Sequence, residues 1–402
     1  MIIIKLFFYI VSPFFLIIMI LLYPLAKFRF CFLSAERIGE ITYQIEKYFL
    51  FNSKKTKKKY IDIFFVGEII SNKYYLNLLK KKITIHRGFI FFPLYKIIVF
   101  LSCNFKFFSQ FLFNKEKKIK DLQNTKITFN KLNLETRLSL EDQTQGESYL
   151  KKLGIKENDK IALLYVRDSH YLKSKFKNKD YSYHDFRDCN IDNFYPAINA
   201  LIEKGYYVFR MGEISNKDLK FKHKKFIDYT NQDRSEYLDI FLSSRCSFVI
   251  SCGGGFGSIP SIVFRKPILY LNGVPILPVI LDFCNQSLFS IKLHYDNKEK
   301  RYLTFKEIIK AEASNCLTKE CYEKKNLTLI ENNKDDIKEI VLEFISNFEY
   351  NDLDSNSFNY EQKKTLNVFL NYLNLKFDED YALVKPKISN AFIKKYDFLL
   401  ND

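Results

Sequence analysis

The sequence predicts an α/β protein with two domains, each built on a parallel sheet. Its 402 residues exceed one ordinary domain and can bury two separate cores. After residue 27, short apolar segments alternate with segments of helical spacing, and no repeat or long low-complexity linker interrupts them. Because strands that alternate with helices pair in parallel, we expect both domains to be Rossmann-like.

An uncharged apolar segment covers residues 6–26. As a helix it is long enough to cross a bilayer core of about 30 Å, so we predict a membrane anchor over residues 1–27. A cleaved signal peptide is an alternative, although no A-x-A-like site follows. Pro13 and Pro24 allow a third interpretation, a kinked segment that enters one leaflet. Basic residues follow the segment and predict a cytoplasmic location for the rest of the chain; they are Lys27, Arg29 and Arg37.

The first predicted domain covers residues 28–153. Its predicted elements are helices over 35–50 and 72–79 and strands over 61–66 and 83–85. Residues 88–113 are apolar enough for a buried helix or a second membrane-touching element, and periodicity leaves both open. A helix stop and turn at Gly154 puts the domain boundary there.

The second predicted domain covers residues 154–350. Its predicted elements are strands over 160–166, 206–209, 226–229, 248–251 and 267–271 and helices over 192–204, 235–244, 301–311 and 335–348. Residues 351–402 are predicted to form a helical appendage. Its amphipathic segment, 359–375, would dock on the body of the protein or on the membrane.

The chain is strongly basic. Its 63 lysines and arginines exceed its 46 aspartates and glutamates, giving a formal net charge of +17. Such an excess suits nucleic acid, acidic lipid or a sugar nucleotide. The abundance of Lys, Asn, Ile, Phe and Tyr without any Trp is also what an AT-rich coding sequence produces. We attribute most of the charge to that bias and expect no nucleic-acid partner.

The cysteines and acidic pairs give no sign of a metal site. The eight cysteines include no CxxC pair or repeated spacing, which predicts reduced thiols in a reducing compartment. The pairs Asp352/Asp354 and Asp378/Asp380 lie in the polar tail and not after a strand. We therefore expect no bound metal and no cofactor.

A glycine-rich turn occupies residues 252–260, directly after the apolar run 248–250 and before a short helical stretch. Main-chain N–H groups would converge there on a phosphate, with the Ser258 hydroxyl beside them. The glycines concerned are Gly253, Gly254, Gly255 and Gly257. A tight turn that needs only small residues is the alternative, since the full dinucleotide fingerprint is missing.

Two arginines follow predicted strands and should reach the same edge of the sheet. Arg167 follows the strand 160–166, and Arg210 ends the strand 206–209. Ligands collect at the carboxyl ends of parallel strands. Arg210 is the preferred ligand for a diphosphate because a guanidinium offers two parallel hydrogen bonds and keeps its proton. A salt bridge to a helix is the alternative.

Three residues near this edge could take a proton from an acceptor hydroxyl: Asp168, His170 and His184. Asp168 could instead neutralise Arg167, and the histidines could be solvent-exposed. Arg187 and Asn190 could bind sugar hydroxyls, but Asn190 also has the character of a helix N-cap. Asp239, on an amphipathic helix, is expected to order the next loop.

Several segments resemble a bacterial glycosyltransferase family of surface polysaccharide biosynthesis. The segments are ERIGE (36–40), YHDFRDCN (183–190), GYYVFRMG (205–212), IDY (227–229) and SEYLDIFL (235–242). The resemblance spans about residues 35–275. It implies a GT-B-like fold and a nucleotide-sugar donor. The leaving diphosphate carries negative charge that must be stabilised. The residues of this chain offer guanidinium, lysine and main-chain N–H groups for that purpose, in place of a metal.

One position departs from the family pattern, in which Arg-Ile-Gly is followed by His. This chain has Glu40 after Gly39. The resemblance implies an acceptor-side role for Arg37 and Glu40. It further implies sugar transfer to a lipid-linked or cell-surface glycan precursor, such as one of lipopolysaccharide, at the cytoplasmic face of the inner membrane. A pyruvyl-transferase-like enzyme and a non-catalytic basic scaffold that binds membrane or glycan are the alternatives.

Overall fold

We analysed a computed structural model of the chain. It describes residues 2–52, 60–113, 138–175, 180–213, 219, 221–232, 234–280, 287–350, 358–373 and 386–401. The chain divides into two compact units, residues 1–136 (unit 1) and 137–402 (unit 2). The sequence had suggested a boundary at residue 153. The acidic pairs of the tail and the lysines at 54–59 lie outside the described residues.

Unit 1 contains a three-stranded parallel sheet in the order β1-β2-β3. Its strands are β1 (Lys27–Leu33), β2 (Tyr60–Val66) and β3 (Ile85–Arg87). Its helices are α1 (Ile2–Leu22), α2 (Ile38–Asn52), α3 (Lys73–Lys80) and α4 (Gly88–Asn104). The β1 and β2 strands pair over their whole length, and Arg29 forms a bidentate ion pair with its cross-strand neighbour Asp62.

Helices α1 and α4 share one apolar core with the sheet of unit 1. Leu16 and Met19 of α1 and Ile98 of α4 are buried in a cluster with Phe30 and Phe65 of the strands. Residues 88–113, which periodicity left ambiguous, thus include a helix with one side in a protein core. Residues 6–26, the predicted anchor, contribute most of α1. Among the described residues, no helix has both the length and the apolar character needed to cross a bilayer.

Unit 2 is organised around a seven-stranded sheet in which all neighbours are parallel. Its order is β13-β9-β8-β7-β4-β5-β6. The strands are β4 (Ile161–Val166), β5 (Tyr207–Arg210), β6 (Phe226–Ile227), β7 (Phe248–Cys252), β8 (Ile268–Tyr270), β9 (Ser287–Phe289) and β13 (Lys387–Ile388). The prediction of an α/β protein with a parallel sheet is confirmed. The two central strands, β4 and β7, are almost entirely apolar because helices cover both faces of the sheet.

Helices and a small antiparallel sheet complete unit 2. The helices are α5 (Leu140–Lys152), α6 (His170–Lys175), α7 (Tyr195–Glu203), α8 (Glu236–Arg245), α9 (Ile276–Ile280), α10 (Phe305–Lys310), α11 (Lys319–Lys324), α12 (Lys334–Glu349), α13 (Tyr360–Tyr372) and α14 (Asn390–Lys395). The small sheet has the order β11-β10-β12, with β10 (Leu293–Asp296), β11 (Arg301–Tyr302) and β12 (Leu327–Ile330).

The carboxyl-terminal segment is part of the main core. Strand β13 pairs with β9 at the edge of the seven-stranded sheet, and Ile388 is buried. The Glu343 carboxylate of α12 accepts hydrogen bonds from the Ser389 hydroxyl and from the first N–H groups of α14. Residues 387–388 therefore extend the sheet, and α13 and α14, the helices described in the predicted helical appendage, pack into the same core.

One cysteine pair corrects the prediction that all thiols are reduced. Cys316 and Cys321 form a disulfide across a short loop. The other cysteines within the described residues are free, and four of these five are buried: Cys31, Cys189, Cys246 and Cys252. The even spacing of a disulfide framework is absent from the sequence, so nothing in the spacing indicated this pair.

Candidate functional site

The strand order of unit 2 reverses between β4 and β7. From β4 the chain continues outward through β5 to β6, and from β7 it continues outward the other way through β8 to β9. Open α/β sheets bind ligands at the carboxyl ends of two such strands, and we call this region of unit 2 the crevice. Arg167 directly follows β4 and Gly253 directly follows β7. Both residues thus lie at the same edge of the sheet, as predicted from the sequence.

Arg167 is almost completely buried at the end of β4, with 7% of its surface exposed. Its Nη1 atom pairs with the carboxylate of Asp188 and donates to the main-chain carbonyl of His184 at 3.1 Å. The amide of Cys189 donates back to the Arg167 carbonyl at 3.0 Å. Arg167 thus holds the loop that contains the 3₁₀ turn Ser182–Arg187 against the sheet.

A second buried cation, Lys292, lies between β9 and β10 and is only 4% exposed. Its Nζ atom donates to the Asp188 carbonyl at 2.5 Å and lies 3.6 Å from the Glu331 carboxylate. The sequence analysis did not identify Lys292, Asp188 or Glu331. A signal was present, because Lys292 interrupts the apolar run Phe289-Ser290-Ile291-Lys292-Leu293. A lone lysine at such a position is buried only when it has partners.

The glycine-rich turn is shaped by close packing. A Cβ atom on Gly253, whose φ is +67°, would lie 2.6 Å from the Arg187 carbonyl oxygen. A Cβ atom on Gly254 would lie 1.9 Å from the Tyr165 ring. The Tyr165 ring also stacks on Phe256, and its burial raises the pKa of Tyr165 to about 12. These contacts require glycine at residues 253 and 254 without any ligand. They agree with the alternative interpretation of the segment as a tight turn that needs only small residues.

The rest of the turn continues as short helical turns. Gly255–Gly257 is a 3₁₀ turn, and Ile259–Val263 is a five-residue π-helix. The Ser258 hydroxyl donates to the Gly255 carbonyl at 2.7 Å. A Cβ atom on Gly257 would lie 3.0 Å from the Ser251 hydroxyl oxygen. The helical stretch that the sequence predicted here is therefore much shorter than an ordinary α-helix.

Arg210 lies elsewhere on the same edge of the sheet. It is 4% exposed, and its Nη1 atom pairs with the Asp228 carboxylate at 3.2 Å. Asp228 follows β6, on the side of β5 that is opposite to β4 and β7. Two strand spacings separate β5 from β7, which is about 10 Å. The described ion pair of Arg210 thus points to the outer strand, and we do not include Arg210 in the crevice. The partner that the sequence suggested was a helix, but the observed one follows a strand.

A charged network orders the loop beside Arg210, as the sequence predicted for Asp239. The Asp239 carboxylate accepts from the Tyr229 hydroxyl at 3.1 Å and from Arg234 at 2.7 Å. Burial raises the pKa of Asp239 to about 7, against the opposing charge of Arg234. The Tyr229 hydroxyl oxygen also accepts from the main-chain amide of Ser235, the N-cap of α8, at 3.1 Å. Asp239 therefore orders the loop before α8, and its described partners are not among the residues that follow β4 or β7.

The three acid–base candidates lie in the loop that follows β4. The Asp168 carboxylate accepts from the His170 amide at 3.0 Å, at the start of α6. The His184 ring packs on Tyr183 with centroids 4.0 Å apart, and its carbonyl is the one bound by Arg167. Asp168 is the residue after Arg167 in the chain, and the His184 carbonyl accepts from the Arg167 side chain.

Arg187 and Asn190 lie on either side of Asp188. The Arg187 main chain contacts Gly253, and its guanidinium lies over the Phe186 ring, 5.2 Å from the centroid. The Asn190 side chain accepts from the Asp192 amide at 3.1 Å, which confirms the capping interpretation. The main-chain amide of Asn190 donates to the Glu331 carboxylate at 3.0 Å. Glu331 thus connects this loop to Lys292.

Arg37 and Glu40, the acceptor-side candidates, belong to unit 1. They form an ion pair with each other at 3.6 Å, and nearly half of each side chain is exposed. Both lie at or just before the start of α2.

One cavity of about 470 Å³ lies away from the crevice. It is lined by Glu147, Lys151, Gly154, Ile155, Lys156 and Glu157, from the end of α5 and the turn before β4. This is the amino-terminal edge of the sheet, opposite to the crevice. Within the described residues, no group of three or more His, Cys, Asp or Glu side chains could hold a metal ion.

Comparison with known proteins found no matching family model, no matching curated protein and no matching solved structure.

Proposed function

We propose that this protein is a glycosyltransferase that moves a sugar from a nucleotide-sugar donor to a lipid-linked or cell-surface glycan precursor. The observation that carries the proposal is the reversal of strand order between β4 and β7, with a buried arginine and a glycine turn beside it. Rossmann-like sheets bind nucleotides at such a point. The family resemblance of residues 35–275 adds sugar transfer and a GT-B-like arrangement to the proposal.

The charges around Asp188 suit a leaving diphosphate. Departure of a nucleoside diphosphate places negative charge on its oxygens, and preorganised donors stabilise that charge. Arg167 and Lys292 reach Asp188 from different parts of the sheet. We assign the diphosphate to these two cations and to the N–H groups of the turn at Gly255. Arg210, the preferred diphosphate ligand in the sequence prediction, is not assigned to the diphosphate, because its described partner is Asp228.

The acceptor hydroxyl needs a base, and we assign this role to His184. An imidazole titrates near neutral pH, so it can accept a proton during sugar transfer. His184 belongs to the loop held by Arg167, so a donor bound there would lie near it. Asp168 and His170 are the alternative bases from the same loop. Arg187 would contact sugar or acceptor hydroxyls.

Ligand-induced thermal stabilisation tests the donor site. We would measure the melting temperature of the intact protein in detergent with a panel of nucleoside diphosphates and nucleotide sugars. A ligand that binds only the folded state stabilises it, by about 2.7 kcal/mol at a hundredfold excess over Kd. We expect one nucleotide family to stabilise the protein selectively. Unselective stabilisation that disappears with salt would indicate a non-catalytic basic scaffold.

Two lysine substitutions localise the binding. Lys292→Met should abolish the nucleotide-induced shift, because it removes a buried cation of the crevice. Lys151→Met is the matched control, since Lys151 lines the cavity at the opposite edge of the sheet. A shift that survives Lys292→Met but not Lys151→Met would contradict the assigned site. A donor screen with lipid extracted from cells, measuring released nucleoside diphosphate, then tests sugar transfer itself.

A further inference from the structure

One side of helix α1 is apolar and exposed. Ser12, Leu16 and Met19 are buried, and they lie four and three residues apart on one side of the helix. At about 100° per residue, the opposite side carries a second row of apolar residues. Each residue of that row is at least 55% exposed, and the row consists of Phe7, Ile10, Phe14, Ile17 and Leu21. We call this row the α1 face.

The apolar surface continues beyond the end of the helix. Leu25, in the turn that follows, is 86% exposed. Phe107 is 46% exposed, and its ring centroid lies 6.0 Å from that of Tyr23. Single exposed apolar residues are ordinary on soluble proteins, but a contiguous row indicates an interaction surface.

The positive charge of the chain is concentrated in the unit that carries the α1 face. Residues 1–136 contain 23 of the 63 lysines and arginines but only 8 of the 46 aspartates and glutamates. Unit 1 thus holds +15 of the formal net charge of +17. Codon composition acts along the whole chain and does not explain why unit 2 is nearly neutral. The charge is therefore a property of unit 1.

Two ammonium groups of unit 1 lie beside aromatic rings. Lys27 Nζ is 5.5 Å from the centroid of Tyr23, and Lys96 Nζ is 4.9 Å from that of Phe92. All four residues belong to α1, α4 or the segments that adjoin them. Aromatic rings and lysines with apolar stems are the residues that occupy the boundary between lipid headgroups and acyl chains.

We propose that unit 1 docks on an anionic lipid surface, with the α1 face in the plane of the interface and its basic residues against the headgroups. A helix that lies in the interface buries its exposed apolar side about 5–10 Å deep, and anionic lipid attracts the lysines and arginines of unit 1. A second copy is a poorer partner for the same face, because two strongly basic units repel. The inference is independent of the reaction in unit 2.

A single tryptophan reports the depth of the α1 face. The chain has no Trp, so Phe14→Trp gives one unambiguous fluorophore. The intact protein would be mixed with vesicles of equal parts phosphatidylcholine and phosphatidylglycerol, or of phosphatidylcholine alone. We expect a blue shift with the anionic vesicles that weakens as NaCl rises. Lipids brominated near the headgroup should quench the emission more than lipids brominated near the chain end.

Paired variants separate this surface from exposed apolar residues in general. Phe14→Ser with Ile17→Ser should lower vesicle binding at least about tenfold, because each side chain loses its transfer from water to lipid. Leu140→Ser with Tyr360→Ser is the matched control in unit 2, where these residues are 82% and 74% exposed. The control should bind vesicles like the original protein, and both pairs should keep the original melting temperature.

Three results would overturn the proposal. Equal binding to neutral and anionic vesicles would remove the role of the basic residues. Strongest quenching by lipids brominated at the chain end would indicate a spanning or deeply inserted helix. A dimer in sedimentation analysis that the Phe14/Ile17 pair dissolves would assign the α1 face to a second copy. Nucleotide binding by unit 2, measured on the same variants, shows separately whether the proposed reaction stands.

Discussion

The ammonium nitrogen of Lys292 lies 2.5 Å from the main-chain carbonyl oxygen of Asp188, the residue whose carboxylate pairs with Arg167. One loop residue therefore joins two buried cations that come from different parts of the sheet. Glu331, 3.6 Å from Lys292, supplies the only other carboxylate described in these pairs. Burying these four charged groups costs free energy even though two carboxylates face the two cations.

Replacing Asp188 should change stability and anion binding in opposite directions. Asp188→Asn leaves Arg167 buried without its carboxylate, which should lower the free energy of unfolding by about 2–3 kcal/mol, allowing for the partial exposure of Asp188. Pyrophosphate should then stabilise the variant more than it stabilises the original protein. Urea unfolding with and without pyrophosphate measures both effects.

Asp185→Asn is the control for this prediction. Asp185 pairs with Lys173 at 3.1 Å, and that lysine is more than half exposed. We expect its loss to change stability by less than about 1 kcal/mol. A smaller pyrophosphate effect in Asp188→Asn than in the original protein would contradict the assignment of the anion to this cluster.

The Gly-rich turn should not accept even one methyl group at residue 254. A Cβ atom there would meet the Tyr165 ring at 1.9 Å, so Gly254→Ala should cost about 1–3 kcal/mol of stability. Tyr165→Leu removes the ring and should restore part of that loss in the double variant. A double-mutant cycle by chemical denaturation measures the coupling. Additive effects would show that the two residues do not meet.

Asp239 should make stability fall as the pH rises from acid to neutral. Burial raises its pKa from an ordinary value of 3.8 to about 7 in the folded protein. The folded state thus binds this proton more tightly than the unfolded state does. The resulting stabilisation is complete below about pH 4 and is lost as the pH rises towards 7.

The Asp239→Asn variant removes that titration and keeps an acceptor for Tyr229. Its free energy of unfolding relative to that of the original protein should therefore rise between pH 4 and pH 7. The slope of this difference against pH should correspond to at most one bound proton. Urea unfolding of both proteins across this range provides the measurement. Parallel pH profiles would mean that Asp239 ionises normally in the folded state.

The last strand of the sheet should contribute to global stability. Ile388 of β13 is 1% exposed, so Ile388→Ala should cost about 2–4 kcal/mol through lost burial and a residual cavity. Lys387→Ala changes the neighbouring, partly exposed residue of the same strand and should cost less than about 1 kcal/mol. Thermal unfolding compares the two. Equal and small effects would show that residues 386–401 are an independent appendage.

The sequence predicted strands best where the strands are buried on both sides. The apolar runs at 160–166 and 248–251 match β4 and β7 closely, because central strands of a parallel sheet need continuous apolar residues. Strand β13 has two residues and follows a polar stretch, so no periodicity could indicate it. Short edge strands depend on the neighbour with which they pair.

The candidate site was predicted only in part. Arg167 and the glycines were found because each directly follows a strand, and β4 and β7 are neighbours. Arg210 follows a strand as well, but its described partner is a carboxylate on the outer side of the sheet. Lys292 was missed because its partners, Asp188 and Glu331, are distant in sequence and become neighbours only after folding.

The α/β class and the parallel sheet could be predicted from the sequence. Those properties follow from local periodicity and composition, which need no knowledge of neighbours in space. The contact of β4 with β7 and the meeting of two cations at Asp188 were visible only in the folded protein. Strand order differs from chain order, and a buried charge takes its partner from whichever loop the completed sheet brings within reach.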